Sequence, residues 1–184
     1  MVVFDSAALL LAINPNARPP SDPATGQPLS RAAARIEHLV DNLSKAGERI
    51  IVPTPVLSEI LVGVGDAGPK IIDYLTRSSA FHIASFDVRA AAEAARAHQD
   101  AIGRGGKRID AANPKETWAK IKFDRQIVAI AVVQGARTVY SDDKDVITYA
   151  RRSGLEAIRT ADLDLPPEDA QGSLDLDESD PPAD

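Results

Sequence analysis

The chain has 184 residues, of which 44% are hydrophobic and only 4% are aromatic, and its formal net charge is −6. This length and composition predict one globular domain with a core of Ala, Val, Leu and Ile, and they exclude a mainly disordered chain. The absence of cysteine excludes disulfides and thiolate metal sites. No apolar run reaches transmembrane length and Met1–Leu11 lacks the basic residues of a signal peptide, so we expect a cytoplasmic protein without membrane contact.

The negative charge is unevenly distributed along the chain. Residues 161–184 contain nine acidic residues and no Lys or Arg, so residues 1–160 hold 21 basic against 18 acidic residues, a net charge of +3. We predict a folded domain over residues 1–160 and an acidic, disordered tail over residues 161–184. The basic body favours a polyanionic partner, but an ordinary solvated surface with a solubilising tail explains the charges equally well.

The N-terminal quarter of the chain predicts strand, helix, loop and helix in turn. Val2–Phe4 is a short apolar run and Ala7–Ile13 is an apolar helical run. Asp5 lies between them, either as a helix N-cap or as a functional acid at the end of a strand. The Pro- and Gly-rich segment 14–29 predicts a loop, after which Ser30 is a candidate cap for an amphipathic helix that ends near Gly47.

The next segment carries an acid on an otherwise apolar helix. Ile50–Pro53 predicts a buried strand, and the following helix is expected to start with Thr54 as N-cap and to run to about Val62. Glu59 is the acid on this helix. Because burial of an unpaired carboxylate is costly, Glu59 must face solvent, pair with a base or bind a cation.

The remaining elements continue the alternation of strands and helices. The pattern predicts helices over Pro69–Arg77, over Val88–Ile102 with Asp87 as its cap, over a segment that starts between Lys115 and Phe123 and ends at Val133, and over Val146–Arg152; it predicts strands over Phe81–Ile83, Thr138–Tyr140 and Leu155–Ile158. Asp124 lies one turn before the apolar Ile127 and is expected near the buried face of its helix.

A basic stretch precedes and enters this long helix. Residues 104–125 hold seven basic against three acidic residues. They are the best candidates for phosphate contacts with a nucleic acid, although a solvated face is an equally good interpretation. The predicted nucleic-acid-binding residues are Arg104, Lys107, Arg108, Lys120, Lys122 and Arg125.

Acids follow the strand Thr138–Tyr140 in a cluster, since Ser141 is followed by Asp142, Asp143 and Asp145. The alternation predicts an α/β fold with a mostly parallel sheet of four to five strands flanked by helices. Acids at the ends of parallel strands can meet at one edge of the sheet, where ionised carboxylates repel each other unless a cation binds among them. Oxygen ligands favour Mg²⁺ or Mn²⁺, and such a site is suited to phosphodiester hydrolysis.

Four segments together resemble the signature segments of PIN-domain proteins, many of which are VapC-type toxin ribonucleases. The segments are Val3–Ser6, Pro53–Glu59, Phe123–Ala131 and Thr138–Asp145. The resemblance spans about residues 2–160 and implies a three-layer PIN-like fold, an endoribonuclease dependent on Mg²⁺ or Mn²⁺, an antitoxin partner and a homodimer.

The resemblance also implies site residues. The metal-binding and catalytic acids would be Asp5, Glu59, Asp124 and Asp143, with Ser141 in the place of the family threonine as a catalytic residue that orients water or a carboxylate. Asp142 falls on a variable position and Asp145 on a further acid that some members have, so both are secondary metal candidates.

Three other functions remain open from the sequence. A PIN-fold nuclease acting in RNA processing or on DNA without an antitoxin would carry the same acids. A non-cleaving module that binds RNA or protein is a second alternative, but it has no use for four clustered carboxylates. An unrelated α/β phosphohydrolase would need a second acid two residues after its nucleophilic Asp, whereas Asp5 is followed by Ser6 and Ala7.

Overall fold

A computed structural model describes residues 1–106 and 117–167. Lys107 and Arg108, most of the predicted acidic tail and part of the predicted loop 103–114 lie outside these residues. The described chain forms seven α-helices and five strands. In order they are β1 (Val2–Phe4), α1 (Ser6–Ile13), α2 (Ala32–Lys45), β2 (Ile50–Pro53), α3 (Thr54–Val64), α4 (Gly68–Arg77), β3 (Phe81–Ala84), α5 (Val88–Gly103), α6 (Trp118–Val133), β4 (Thr138–Tyr140), α7 (Lys144–Arg152) and β5 (Glu156–Ile158).

The five strands form one sheet in the order β3-β2-β1-β4-β5, with every neighbouring pair parallel. This confirms the predicted α/β class and the parallel sheet flanked by helices. The strands contain residues such as Val3, Ile51 and Val139 that are fully buried. Near-continuous apolar strands are expected when helices cover both faces of a parallel sheet.

The chain adds its later strands on opposite sides of β1. From β1 it adds β2 and β3 on one side, and it returns to add β4 and β5 on the other. Phe4 and Tyr140, the last residues of β1 and β4, pair in register, and their rings meet edge to face at 5.4 Å. The carboxyl ends of β1 and β4 therefore flank the switch point of the sheet, where open α/β folds bind ligands.

Several local predictions are confirmed and others are wrong. Asp5 and Asp87 cap α1 and α5 through their side chains, as expected. The predicted N-cap Thr54 lies inside α3, because Pro53 is the cap and the Thr54 hydroxyl accepts a hydrogen bond from the Phe86 amide at 3.1 Å. Ser30 does not cap α2, whose N-cap is Arg31 with a φ of 54° and without a side-chain cap bond.

The folded domain continues beyond the predicted boundary at residue 160. Leu163 is buried in the hydrophobic core, and its carbonyl accepts a hydrogen bond from the Arg35 guanidinium on α2. Leu163 follows a short 3-10 turn over Thr160–Asp162. The first residues assigned to the tail thus belong to the domain. No helix of the described residues is long and apolar enough to cross a membrane.

Candidate metal centre

A cavity of about 920 Å³ opens at the carboxyl edge of the sheet. Four elements contribute an acid to its wall: Asp5 follows β1, Glu59 lies on α3, Asp124 lies on α6, and Asp143 follows β4. The structure therefore brings together the four acids that the resemblance singled out. The rest of the wall is mostly apolar and includes Leu10, Ile60, Phe123, Ile127 and Val146.

Two of the four acids are also helix N-caps. Asp5 Oδ1 accepts a hydrogen bond from the Ala8 amide at 2.9 Å, and Asp143 Oδ1 accepts bonds from the amides of Asp145 at 2.7 Å and Val146 at 3.3 Å. The structural and functional interpretations of Asp5 are thus compatible. A carboxylate has two oxygens, so an N-cap fixes one of them and leaves the other for a ligand.

Burial alters the proton affinity of Asp5. This residue is 5% exposed, and desolvation raises the pKa of its carboxyl group from 3.8 to about 6. The bond from Ala8 and a hydrogen bond with Ser141 lower the pKa, whereas the charges of Asp142 and Asp143 raise it. Ser141 is itself buried, and its hydroxyl also accepts a hydrogen bond from the Asp143 amide at 3.1 Å. Ser141 therefore links two of the predicted metal ligands.

The other side of the cavity holds three carboxylates around one lysine. One oxygen from each of Asp124, Asp143 and Asp145 lies within 4.8 Å of the other two. Lys120 Nζ lies 2.7 Å from Asp124 Oδ2, 2.9 Å from Asp143 Oδ2 and 3.7 Å from Asp145 Oδ2. Asp145, which the sequence analysis made only a secondary metal candidate, is thus part of this acidic group.

The charges of this group are mutually dependent. Burial raises the pKa of Asp124 to about 6, against the lowering effect of its hydrogen bond from Lys120. Burial lowers the pKa of the Lys120 ammonium, but its hydrogen bonds to Asp124 and Asp143 and the charges of these two residues together raise the pKa above its ordinary value. The Lys120 ammonium therefore keeps its charge at neutral pH beside the Asp124 and Asp143 carboxylates.

Glu59 and Asp142 are oriented by hydroxyl groups. Glu59 is exposed at the cavity wall and accepts a hydrogen bond from the Ser6 hydroxyl. Asp142 turns toward Thr160, whose amide donates to Oδ1 at 3.1 Å and whose hydroxyl donates to Oδ2 at 2.5 Å. Both Asp142 oxygens are thereby engaged in holding the 3-10 turn. This contact favours a structural role for Asp142 over metal ligation.

The predicted nucleic-acid-binding residues on α6 do not share one face. Lys120 points into the acidic group, whereas Lys122 is exposed on the same helix near the Trp118 ring. Arg125 is 3% exposed, with its guanidinium 4.9 Å from the Tyr149 ring and hydrogen-bonded to His98. The assignment of Arg125 to phosphate contacts is corrected by this burial. A count of bases along the sequence does not separate the two faces of a helix.

The carboxylates fit a hard divalent cation. Mg²⁺ and Mn²⁺ prefer oxygen ligands, and the donors of Asp124, Asp143 and Asp145 are all carboxylate oxygens within one ion's reach. Asp5 and Glu59 line the same cavity and can complete a shell or serve a second ion. The sequence did not indicate the contacts Ser6–Glu59 and Thr160–Asp142. The four-residue spacing of Lys120 and Asp124 on one helix could have predicted the salt bridge between these two residues. It could not have predicted the contacts of Lys120 with Asp143 and Asp145.

The chain is similar to solved structures but matches no family model by sequence. Neither a family model nor a curated protein sequence matches the chain. Solved structures do match: VapBC2 from Rickettsia felis bound to a DNA fragment from its promoter has a TM-score of 0.55 and 14% identity, and the match covers 86% of this chain and 98% of that chain. DNA-bound VapBC from Salmonella typhimurium has a TM-score of 0.51 and 13% identity, with 86% of this chain and 97% of that chain covered.

The shared architecture defines the class: this chain has a PIN-domain, VapC-like fold. The match spans nearly the full length of both solved chains, so it concerns the whole domain. At 13–14% identity the likeness establishes the fold alone. The predicted resemblance to PIN-domain proteins is confirmed at this level.

Proposed function

We propose that the protein is a metal-dependent endoribonuclease and the toxin of a type II toxin–antitoxin pair. The observation that carries the proposal is the convergence of Asp5, Glu59, Asp124 and Asp143 in one cavity at the switch point of the sheet. Carboxylates kept together at the cost of mutual repulsion favour a cation-dependent reaction. The PIN-domain, VapC-like fold supports a nuclease among such reactions.

The side chains of the cavity have distinct roles in this proposal. Asp124, Asp143 and Asp145 hold the ion, with Asp5 and Glu59 as further ligands. When bound, Mg²⁺ or Mn²⁺ supplies an activated water and a positive charge for the phosphoryl oxygens. Ser141 fixes the orientation of Asp5 and, through the backbone, of Asp143. The two N-cap bonds fix those carboxylates further, so little reorganisation is needed at the reaction.

The partners follow from the same proposal. The two solved structures described above are VapBC complexes with DNA. We therefore include an antitoxin protein among the partners of this chain, together with RNA as substrate and a second copy of the chain in a homodimer. Arg104 and Lys122, with Lys107 and Arg108, remain the candidates for RNA phosphate contacts. A gene for a small protein adjacent to this one, whose product copurifies with it and blocks cleavage, would support the antitoxin.

The decisive experiment is cleavage of a labelled RNA pool in Mn²⁺, Mg²⁺ or EDTA. We expect cleavage by the wild type only with metal, and loss of cleavage in Asp5→Asn and Asp143→Asn. Asp73→Asn is the matched control, because this exposed acid on α4 pairs only with the surface residue Arg77 in the described structure. Cleavage that persists in EDTA or in both site variants contradicts the proposal. RNA binding without any cleavage would instead favour the binding module.

A further inference from the structure

Lys120 occupies the centre of the acidic group formed by Asp124, Asp143 and Asp145. Its ammonium is within hydrogen-bond distance of the first two carboxylates and 3.7 Å from the third. Its side chain is 33% exposed, whereas those of Asp124 and Asp145 are 7% and 6% exposed. The two most buried carboxylates of the group thus contact a cation that comes from the protein itself.

A divalent ion requires the space that the ammonium fills. Mg²⁺ binds oxygen ligands at about 2.0–2.1 Å in octahedral geometry, so its ligands lie within a few ångströms of one another. One oxygen from each of the three carboxylates already lies within 4.8 Å of the other two, so small side-chain movements bring them to this spacing. Lys120 Nζ lies 2.7, 2.9 and 3.7 Å from the Oδ2 atoms of Asp124, Asp143 and Asp145, so it occupies space next to the same three carboxylates. An ammonium and a divalent ion at this spacing would also repel each other strongly.

We propose that Lys120 is an internal counter-cation of the metal-free protein, and that binding of Mg²⁺ or Mn²⁺ displaces its ammonium from the carboxylates. This inference rests on the proposed metal site. Lys120 then has two effects on the site. It holds the carboxylates in a binding arrangement without metal, and it lowers the affinity for metal because every ion must first replace it.

The position of Lys120 on α6 permits this exchange. It lies four residues before Asp124, so the two side chains share one face of the helix. Its four-carbon stem is flexible, and the residue lines the open cavity, which gives the ammonium a route toward solvent. Lys122 is the natural comparison because it lies on the same helix, is exposed and carries the same charge.

The first test measures binding of Mn²⁺ by calorimetry to the wild type, Lys120→Met and Lys122→Met. We expect Lys120→Met to bind Mn²⁺ at least about tenfold more tightly than the wild type, since it removes a competitor. Lys122→Met changes the net charge equally and should bind like the wild type. In EDTA, Lys120→Met should melt at a lower temperature than either, and Mn²⁺ should raise its melting temperature most.

A second test uses the wild-type protein and needs no variant to fold. Reductive methylation followed by mass spectrometry reports how accessible each lysine amine is. We expect faster modification of Lys120 in Mg²⁺ than in EDTA, with Lys122 unchanged. Equal modification of Lys120 in both conditions would show that metal does not move the ammonium and would overturn the proposal.

The outcomes separate this inference from the proposed metal site. If the wild type binds no Mn²⁺, the metal site itself fails. If the wild type binds Mn²⁺ and Asp143→Asn does not, but Lys120→Met binds with equal or lower affinity, only the role of Lys120 fails. Tighter binding by Lys120→Met together with exposure of Lys120 in Mg²⁺ establishes the exchange.

Discussion

The two sides of the cavity accommodate their carboxylates in different ways. On the N-terminal side, Asp5 is buried without a salt bridge among the described residues, and burial raises its pKa to about 6. Neighbouring Glu59 is exposed and bonded to the Ser6 hydroxyl. On the C-terminal side, Asp124, Asp143 and Asp145 surround Lys120. On the N-terminal side, the raised pKa of Asp5 and the exposure of Glu59 to solvent limit the repulsion between carboxylates. On the C-terminal side, the Lys120 ammonium limits it.

This difference indicates where a metal ion binds most strongly. The C-terminal group is already arranged around a positive charge, so an ion that replaces the ammonium finds its ligands in place. Asp5 and Glu59, on the N-terminal side, can each contribute one further oxygen to a bound ion, and their hydrogen bonds to Ala8 and Ser6 hold them in position. We expect the C-terminal acids to dominate metal binding and the exposed Glu59 to tune it.

The largest expected effect compares Asp124→Asn with Glu59→Gln. Loss of Asp124 should lower the RNA cleavage rate at least ~10³-fold, because a bound ion supplies several kcal/mol of charge stabilisation. Glu59→Gln should lower the rate only about 10- to 100-fold, since this exposed acid supports the site from its edge. Cleavage rates at increasing Mn²⁺ concentrations measure both. Equal losses would remove the distinction between the two sides.

The pH dependence of stability tests the buried state of Asp5. Because the folded pKa of about 6 exceeds the unfolded value of 3.8, the native state binds this proton more tightly. The free energy of unfolding should therefore fall as pH rises from about 4 to 6, by on the order of 3 kcal/mol for this group. Asp5→Asn retains a capping side chain but does not titrate, so its stability relative to the wild type should increase over that range.

Urea denaturation in EDTA at pH 4.5 and 7 measures this difference. Asp87→Asn is the matched control, since Asp87 caps α5 through the same bond, accepting from the Ala90 amide at 2.9 Å, but is exposed. This variant removes a charged cap from an exposed site, so it shows what loss of the charge alone does to stability at each pH. A pH-independent difference between Asp5→Asn and the wild type would refute the assignment of a raised pKa to burial at Asp5.

The smallest expected effect concerns the hydroxyl that holds Glu59. Ser6→Ala should lower the cleavage rate about tenfold, as expected when a group that orients a ligand is lost. Ser6→Thr keeps the hydroxyl and should restore most of the rate. Ser58→Ala, at the exposed residue next to Glu59, should behave like the wild type. Failure of Ser6→Thr to recover the rate would argue that the bond to Glu59 is not what Ser6 contributes.

The predicted architecture agrees with the structure where local pattern decides the outcome. Apolar runs such as Ile50–Pro53 form the strands as predicted, because only extended segments of this length suit a sheet covered on both faces. Asp5 and Asp87 cap helices as predicted, because an N-cap depends on the residue and the turn next to it. The prediction for Thr54 fails because a distant segment, at Phe86, competes for its hydroxyl.

The sequence by itself determined the alternation of strands and helices, and the order of the four acids along it, because both depend on residue type and short-range spacing. The tertiary structure decided which side chains meet. The burial of Arg125 beside Tyr149, the turn of Asp142 toward Thr160 and the insertion of Lys120 between acids of α6 and α7 all join separate elements. The sequence of a helix does not show which neighbouring element a charged side chain will contact. Packing of the elements decided that Lys120 pairs with the acids.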